Sequence, residues 1–261
     1  MDHDYWLKQG SSPLFPDILW SRPESKMGAG KLAIIGGNLH GFSAPGNAYN
    51  VSLQAGAGAV RVLMPEALRK IVKNFLPEAD YAPATPSGSF AKSALDEMLG
   101  LAQWAECCLV AGDVGRNSET AMVLEAFVKH YIGPLVLTHD AADYFRESPS
   151  TVVDRADTLL VISLAQLQKI FIHTPTITPI TYSMSSPQLA EALHVYTTEH
   201  PVFMMTKHND LIFLACNGQV STTKHEEKIW RVAHASKASV FWLQNLNQPF
   251  EAVTTSIHLV N

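Results

Sequence analysis

The sequence predicts an α/β protein of three layers, α/β/α, in which helices cover both faces of a mostly parallel central sheet. Three observations lead there. Apolar residues make up 47% of the 261 and charged residues only 16%, below the roughly 25% charged usual for globular domains, so much of the chain is interior. Strand-like and helix-like segments alternate from about residue 31 onward, the pattern of a sheet wound by crossover helices. No stretch rich in Gly, Ser or Pro breaks that alternation, so residues 1–261 read as one domain, with 1–25 as an N-terminal extension packed on it.

Each element has its own reason. Residues 31–37 (KLAIIGG) are a short apolar run ending in two glycines, the mark of a buried parallel strand entering a loop. A helix is expected over 47–57, closed by Gly58, then a strand over 59–64 (AVRVLM), with Pro65 opening a helix to Phe75. A helix over 91–105 leads to a third strand, 107–111 (CCLVA), whose adjacent Cys107 and Cys108 must point to opposite faces. Asn117 is the expected N-cap of a helix over 118–131, followed by a fourth strand at 134–137 (PLVL). Residues 158–163 (TLLVIS) form a strand that runs into a helix reaching about Ile172, and Ser186 with Pro187 caps a helix ending near Thr198. Residues 202–206 and 211–215 read as an antiparallel pair around a turn at 208–210, and a last helix covers 250–260.

Charge and cysteine usage exclude several classes of function. Nineteen Lys and Arg stand against 24 Asp and Glu, a net charge of −5 with no basic cluster, so no nucleic-acid partner is expected. Three cysteines make no disulfide scaffold. No apolar run approaches the roughly 18 residues of a membrane span, and residues 1–4 lack a basic leader. A cytoplasmic protein without membrane contact is the expectation. The 11 histidines show no HxH or HxxxH spacing, so no metal site is expected.

In a parallel sheet the ligand loops leave the carboxyl ends of the strands. Four such loops stand out: 36–46 (GGNLHGFSAPG), 111–117 (AGDVGRN), 138–143 (THDAAD) and 206–210 (TKHND). Glycines in the first two permit close approach to a ligand, and both loops enter helices whose N-termini attract anions. Neither is a Rossmann GxGxxG nor a P-loop.

In this order the segments resemble the nucleotide-dependent NAD(P)H-hydrate dehydratases, a carbohydrate-kinase-like branch of the ribokinase-like superfamily. Residues 25–37 (SKMGAGKLAIIGG) resemble the family's KGDFG followed by a strand ending in GG, and 55–60 (AGAGAV) resemble its RAGAGLV. Residues 111–116 stand where the family has GPGLGR, and 135–142 (LVLTHDAA) resemble LVLDADAL. The resemblance covers roughly residues 22–258. It implies a ribokinase-like fold and a repair reaction in which ADP or ATP, accompanied by Mg²⁺, phosphorylates the hydroxyl of hydrated NADH or NADPH before phosphate is eliminated. It further implies a homo-oligomer, or a partner subunit that completes the site.

Residue by residue, the resemblance places Asn38, Gly41, Ser43 and Asp140 against the dinucleotide, and Gly112, Gly115, Arg116, Lys207, Ser236 and Lys237 against the nucleotide. Ser236-Lys237-Ala238-Ser239 align with the family's GSGD, so Ser239 stands for the catalytic aspartate. A serine has no proton acceptor of its own near pH 7, and such a base contributes roughly 10²–10⁴-fold. Asp140 or Asp113 is then the candidate replacement base. Residues 163–166 (SLAQ) replace HPGE and read more simply as a helix start, and the chain ends where the family adds one or two elements. Plainer roles stand beside these: Asp140 as a loop brace, Lys237 as a solvated lysine, Arg116 paired with Glu119. Two functions follow, a divergent NAD(P)H-hydrate dehydratase or a catalytically silent nucleotide- or dinucleotide-binding scaffold.

Overall fold

The computed structural model describes residues 4–77, 79–174 and 178–258. Its centre is a ten-stranded sheet with the order β1-β10-β9-β8-β7-β6-β5-β2-β3-β4. The strands are β1 (Trp6–Gln9), β2 (Lys31–Gly36), β3 (Ala59–Pro65), β4 (Asp80–Ala82), β5 (Cys107–Gly112), β6 (Leu135–Thr138), β7 (Thr158–Ser163), β8 (Phe203–His208), β9 (Leu211–Cys216) and β10 (Gln219–Lys224). From β4 across to β8 all neighbours are parallel, and β9 runs antiparallel to both β8 and β10. The expected α/β/α fold is the one observed.

The two-residue period of a strand splits its side chains between two cores. Ala33, Ile35, Cys108, Val110, Leu135, Leu137, Leu160 and Ile162 face one layer, where they meet α4 (Leu95–Trp104), α5 (Ser118–His130), α7 (Leu164–His173) and α8 (Ser186–Glu199). Leu32, Ile34, Cys107, Leu109, Val136, Leu159 and Val161 face the other, under α9 (Arg231–Gln244) and α10 (Pro249–His258), with α2 (Ser43–Gln54) beside them. Cys107 and Cys108 thus point to opposite faces as the spacing requires, both fully buried, and burial pushes the Cys108 thiol up to about 12. The remaining helices, α1 (Asp17–Trp20), α3 (Arg69–Val72) and α6 (Ser150–Val153), are single turns.

Several boundaries differ from the expected ones. α2 starts at Ser43 rather than 47, because Pro45 lies in its first turn, where a missing N–H costs nothing. The helix expected from Pro65 to Phe75 is a 3₁₀ turn, Glu66–Leu68, followed by the single turn α3. The helix expected over 91–105 begins as a 3₁₀ turn, Lys92–Ala94. Asn117 caps α5, its side chain accepting the Glu119 amide at 2.8 Å. α7 and α8 each open with a capping box, Ser163 with Gln166 and Ser185 with Gln188. The cap of α8 is thus Ser185, and Ser186, expected as the cap, is the first helical residue because its neighbour Pro187 fits the first turn. The last helix ends among described residues at His258, and 259–260 lie outside them.

The N-terminal segment does more than pack on the domain. β1 joins the sheet edge in parallel with β10, Trp6 opposite Val220 and Gln9 opposite Thr223. Gln9 Nε2 donates to Thr223 Oγ1 at 3.0 Å and to the Thr254 carbonyl at 2.9 Å, so the strand is pinned to α10 as well as to β10. No helix among the described residues is long and apolar enough to cross a membrane.

Candidate functional site

The loops leaving β2, β5, β6 and β7 are fastened to one another by side chains at the carboxyl edge of the sheet. Asp113 follows β5 with φ of 56°, a left-handed conformation that Asp tolerates better than most residues. From there its Oδ2 accepts the Ala44 amide at 2.7 Å and the Ser43 hydroxyl at 3.3 Å, and its carbonyl accepts Asn38 Nδ2 at 2.5 Å. Phe42 at the α2 N-cap position supplies no side-chain acceptor, so the cap comes from the neighbouring strand. Gly41 closes the hairpin, exchanging backbone hydrogen bonds with Asn38.

One loop further along, Asp140 accepts the backbone N–H of Gly115 at 3.1 Å and lies 3.4 Å from that of Val114. Burial pushes this carboxyl up, but the His139 ring and the two amides outweigh it and hold it below the ordinary carboxylate range. Gly112 and Gly115 are glycines for identifiable reasons. A Cβ on Gly112, at φ of 106°, would lie 2.5 Å from His139 Cβ, and one on Gly115, at φ of 78°, would lie 3.0 Å from Ser89 Oγ. Tyr144 completes the turn, its hydroxyl donating to the Gly115 carbonyl at 2.7 Å and accepting the Asn117 amide at 3.1 Å. A cavity of about 410 Å³ opens beside this turn, lined by Arg116, Asn117, Asp140, Asp143 and Tyr144, a volume in the range of small-molecule sites.

Gln166 connects these loops to the opposite layer. Its Nε2 donates to the His139 carbonyl at 2.7 Å and to Asp143 at 3.1 Å, while its Oε1 accepts Arg231 at 3.0 Å. Arg231 is the first residue of α9, so this helix start faces the same loops. A second polar cluster lies on that side. Lys207 Nζ donates to the Glu227 carbonyl at 2.5 Å, and the His225 and His234 rings meet edge to face at 4.6 Å. Burial holds His225 below its ordinary value, helped by the Lys207 charge, and brings His234 down to about 4. The Nε2 atoms of both rings and the Thr206 hydroxyl oxygen are buried without hydrogen-bond partners.

The expected site residues therefore fall into three groups. Asn38, Gly41 and Ser43 converge on Asp113; Gly112, Gly115, Arg116 and Asp140 surround the turn after β5; and Lys207 stands with Lys237 near Glu227. Arg116 is exposed and makes no ion pair with Glu119, whose carboxylate instead accepts the Lys92 amide. Ser236 and Ser239 require a correction. Residues 236–239 are not a glycine-like loop but the second and third turns of α9, where Ser236 donates to the Val232 carbonyl and Ser239 to the Ala235 carbonyl, both at 2.7 Å and both fully buried. A loop offering free amides to a phosphate has to lie at a helix start. Here that position is Trp230 and Arg231, several residues earlier.

Sequence reasoning missed His139, Tyr144 and Arg231. His139 adjoins the expected Asp140, and its non-glycine φ of 58° has no signal in the sequence. Arg231 carries no motif of its own and is set apart only as the first residue of α9.

No family model matches the sequence. The bifunctional NAD(P)H-hydrate repair enzyme of Methanothermobacter thermautotrophicus is 32% identical over 124 residues, which are 46% of this chain and 24% of that enzyme, so the match spans about a quarter of the relative's length. A ribokinase-like superfamily protein from Enterococcus faecalis superposes over 99% of this chain and 87% of its own with a TM-score of 0.74 at 14% identity. The ADP/ATP-dependent NAD(P)H-hydrate dehydratase of Bacillus subtilis, co-crystallised with ATP and Mg²⁺, covers 95% of this chain and 86% of its own with a TM-score of 0.62 at 12% identity. The chain therefore shares the α/β/α fold of these solved structures, and over 124 residues its sequence is similar to that of an NAD(P)H-hydrate repair enzyme.

Proposed function

We propose that the chain is a nucleotide-dependent repair enzyme acting on hydrated NADH or NADPH. The single observation that carries this reading is the linked set Asp113, Asp140, Gln166 and Arg231, which ties four strand-end loops to the start of α9, with Asp140 also lining the adjoining cavity. Enzymes that transfer phosphoryl groups work mainly by positioning and electrostatic stabilisation, so rigidly coupled loops are what the chemistry needs. Asn38, Ser43 and Asp140 form the side proposed for the dinucleotide, and the 410 Å³ cavity is lined by Asp140 of that side and by Gly115 and Arg116 of the nucleotide side. On the nucleotide side stand Lys207, as a point charge, and the start of α9. The unpartnered Nε2 atoms of His225 and His234 and the Thr206 oxygen fit a polar ligand there. ADP or ATP, when bound, supplies the phosphoryl group.

Magnesium has no protein cage in this arrangement. Asp140 is occupied by amides and Asp143 by Gln166, and among the described residues no three His, Cys, Asp or Glu side chains converge. No step is assigned to the ion.

The test mixes the protein with hydrated NADH, ADP or ATP, and Mg²⁺. Recovery of the reduced-nicotinamide absorbance is expected. No recovery would overturn the reading, and no thermal shift by any adenine nucleotide or dinucleotide would remove nucleotide binding as well.

A second reading, a silent binding or scaffold protein, has its own observation: the first turn of α9 carries no acidic residue. It predicts a thermal shift with nucleotide but no absorbance recovery.

A further inference from the structure

We infer that His139, backed by Asp140, is the proton acceptor for the substrate hydroxyl. The inference rests on the nucleotide-dependent reading above and names the group that performs its first step.

Four observations place the imidazole in that role. His139 ends the run out of β6 with φ of 58°, a conformation costly for a residue with a Cβ. Backbone strain of this kind persists only where surroundings enforce it, and here Gln166 Nε2 holds the His139 carbonyl at 2.7 Å. The ring therefore projects at the carboxyl edge of the sheet, against Gly112, where no side chain other than hydrogen leaves room for it. Its Nδ1 lies 3.5 Å from Asp140 Oδ1, close enough for charge attraction but not a made hydrogen bond, and that nitrogen is otherwise buried and unpartnered. The side chain as a whole is 40% exposed, so the part of the ring open to a ligand excludes Nδ1. An imidazole with Nδ1–H directed at a carboxylate keeps its Nε2 lone pair free to accept a proton.

The charged groups facing the ring are Asp140 beside it, Asp113 from the loop after β5, and Arg231 from α9. Asp140 and Asp113 favour the imidazolium, while Arg231 and burial oppose it, and the balance lies above the ordinary histidine value. An imidazole whose protonated form is stabilised by a neighbouring carboxylate is suited to take a proton as a general base.

The step balances as follows. Nε2 takes the proton of the substrate hydroxyl as its oxygen forms a bond to the terminal phosphorus of a nucleoside triphosphate. The bond from that phosphorus to the bridging oxygen breaks, and the nucleoside diphosphate leaves with the electron pair. The resulting imidazolium faces Asp140, which stabilises it.

The experiment compares wild type with His139→Gly, a variant that suits the positive φ and leaves room for a small molecule. Turnover of hydrated NADH with ATP and Mg²⁺ is followed from about pH 5.5 to 8.5, with and without added imidazole. The expected result is a kcat lower by roughly 10²–10⁴-fold with KM little changed, loss of the acidic limb of the wild-type pH profile, and partial rescue by imidazole. Should His139→Gly not fold, the wild-type limb is compared with the ring titration of His139 followed by NMR, and the two must coincide. A variant within about threefold of wild type, or a limb that does not match the His139 titration, overturns the base while leaving nucleotide-dependent repair standing. Absence of wild-type turnover overturns the repair reading itself.

Discussion

Asp113 and Ala44 are 69 positions apart in sequence, yet the Asp113 carboxylate accepts the Ala44 amide at 2.7 Å and so caps a helix to which it does not belong. The cap and the left-handed backbone that delivers it are separable by substitution. Asp113→Asn keeps an acceptor and tolerates φ of 56°, so it should cost a few tenths of a kcal/mol. Asp113→Ala loses the cap, about 1 kcal/mol, and adds a strained Cβ, about 1 kcal/mol more. Urea denaturation of the two variants should rank them in that order, and equal stability would show that the cap is not what holds the loop.

Gly112→Ala should be more damaging. The new Cβ would stand 2.5 Å from His139 Cβ at a φ of 106°, so either the β6 loop or the β5 turn must move. A loss of roughly 2–4 kcal/mol is expected. Gly46→Ala, where nothing lies within 4 Å of the added carbon, should be nearly neutral or slightly stabilising in the same melting series.

Gln166 can be tested through its two ends. Gln166→Glu retains an acceptor for the Ser163 amide and for Arg231 but has no donor for the His139 carbonyl and places a second acid beside Asp143. Gln166→Ala also breaks the α7 capping box and should cost about 2 kcal/mol. Amide exchange of residues 139–145 should accelerate in both variants. Acceleration confined to α7 would mean that the connection between loops is not maintained by this side chain.

Acid should destabilise the fold above the range of most carboxylates. His234 is buried with its ring brought down to about 4, whereas in the unfolded chain it titrates near 6.5. As pH falls below about 6.5 the unfolded state takes up a proton that the folded state refuses, so stability declines until about pH 4. The loss is on the order of 3 kcal/mol at most. His225, also held low by burial, adds in the same direction. A His234→Gln variant should show a visibly flatter dependence of the urea midpoint between pH 4.5 and 6.5.

What the sequence made legible was the inside of the sheet. β2, β5 and β7 are runs of apolar residues buried on both faces, and such runs announce themselves without periodicity. β10 reads QVSTTK, too polar to suggest a strand, because Ser221 and Thr223 are satisfied by α10 and β1 rather than by apolar contacts. β1, only four residues long, carries no signal apart from that partner. The site was legible where its parts are local, as with Asn117 capping its own helix. It was illegible where one loop braces another, since neither the Asp113 cap on α2 nor the Arg231 contact with Gln166 leaves a mark at a fixed spacing. Ser236 and Ser239 sit where helical periodicity, with Ala235, Ala238, Val240 and Trp242 all buried, marks an uninterrupted helix rather than a loop.

The parallel register of Trp6–Gln9 on Val220–Thr223 also sets a schedule for biosynthesis. Trp6–Gln9 can pair only after more than two hundred further residues have been translated, an interval on the order of 10–40 s at ~5–20 residues per second. For all that time its unpaired N–H and C=O groups are open to other extended chains, and a nascent polypeptide halted before Val220 would leave Trp6–Gln9 without its parallel neighbour.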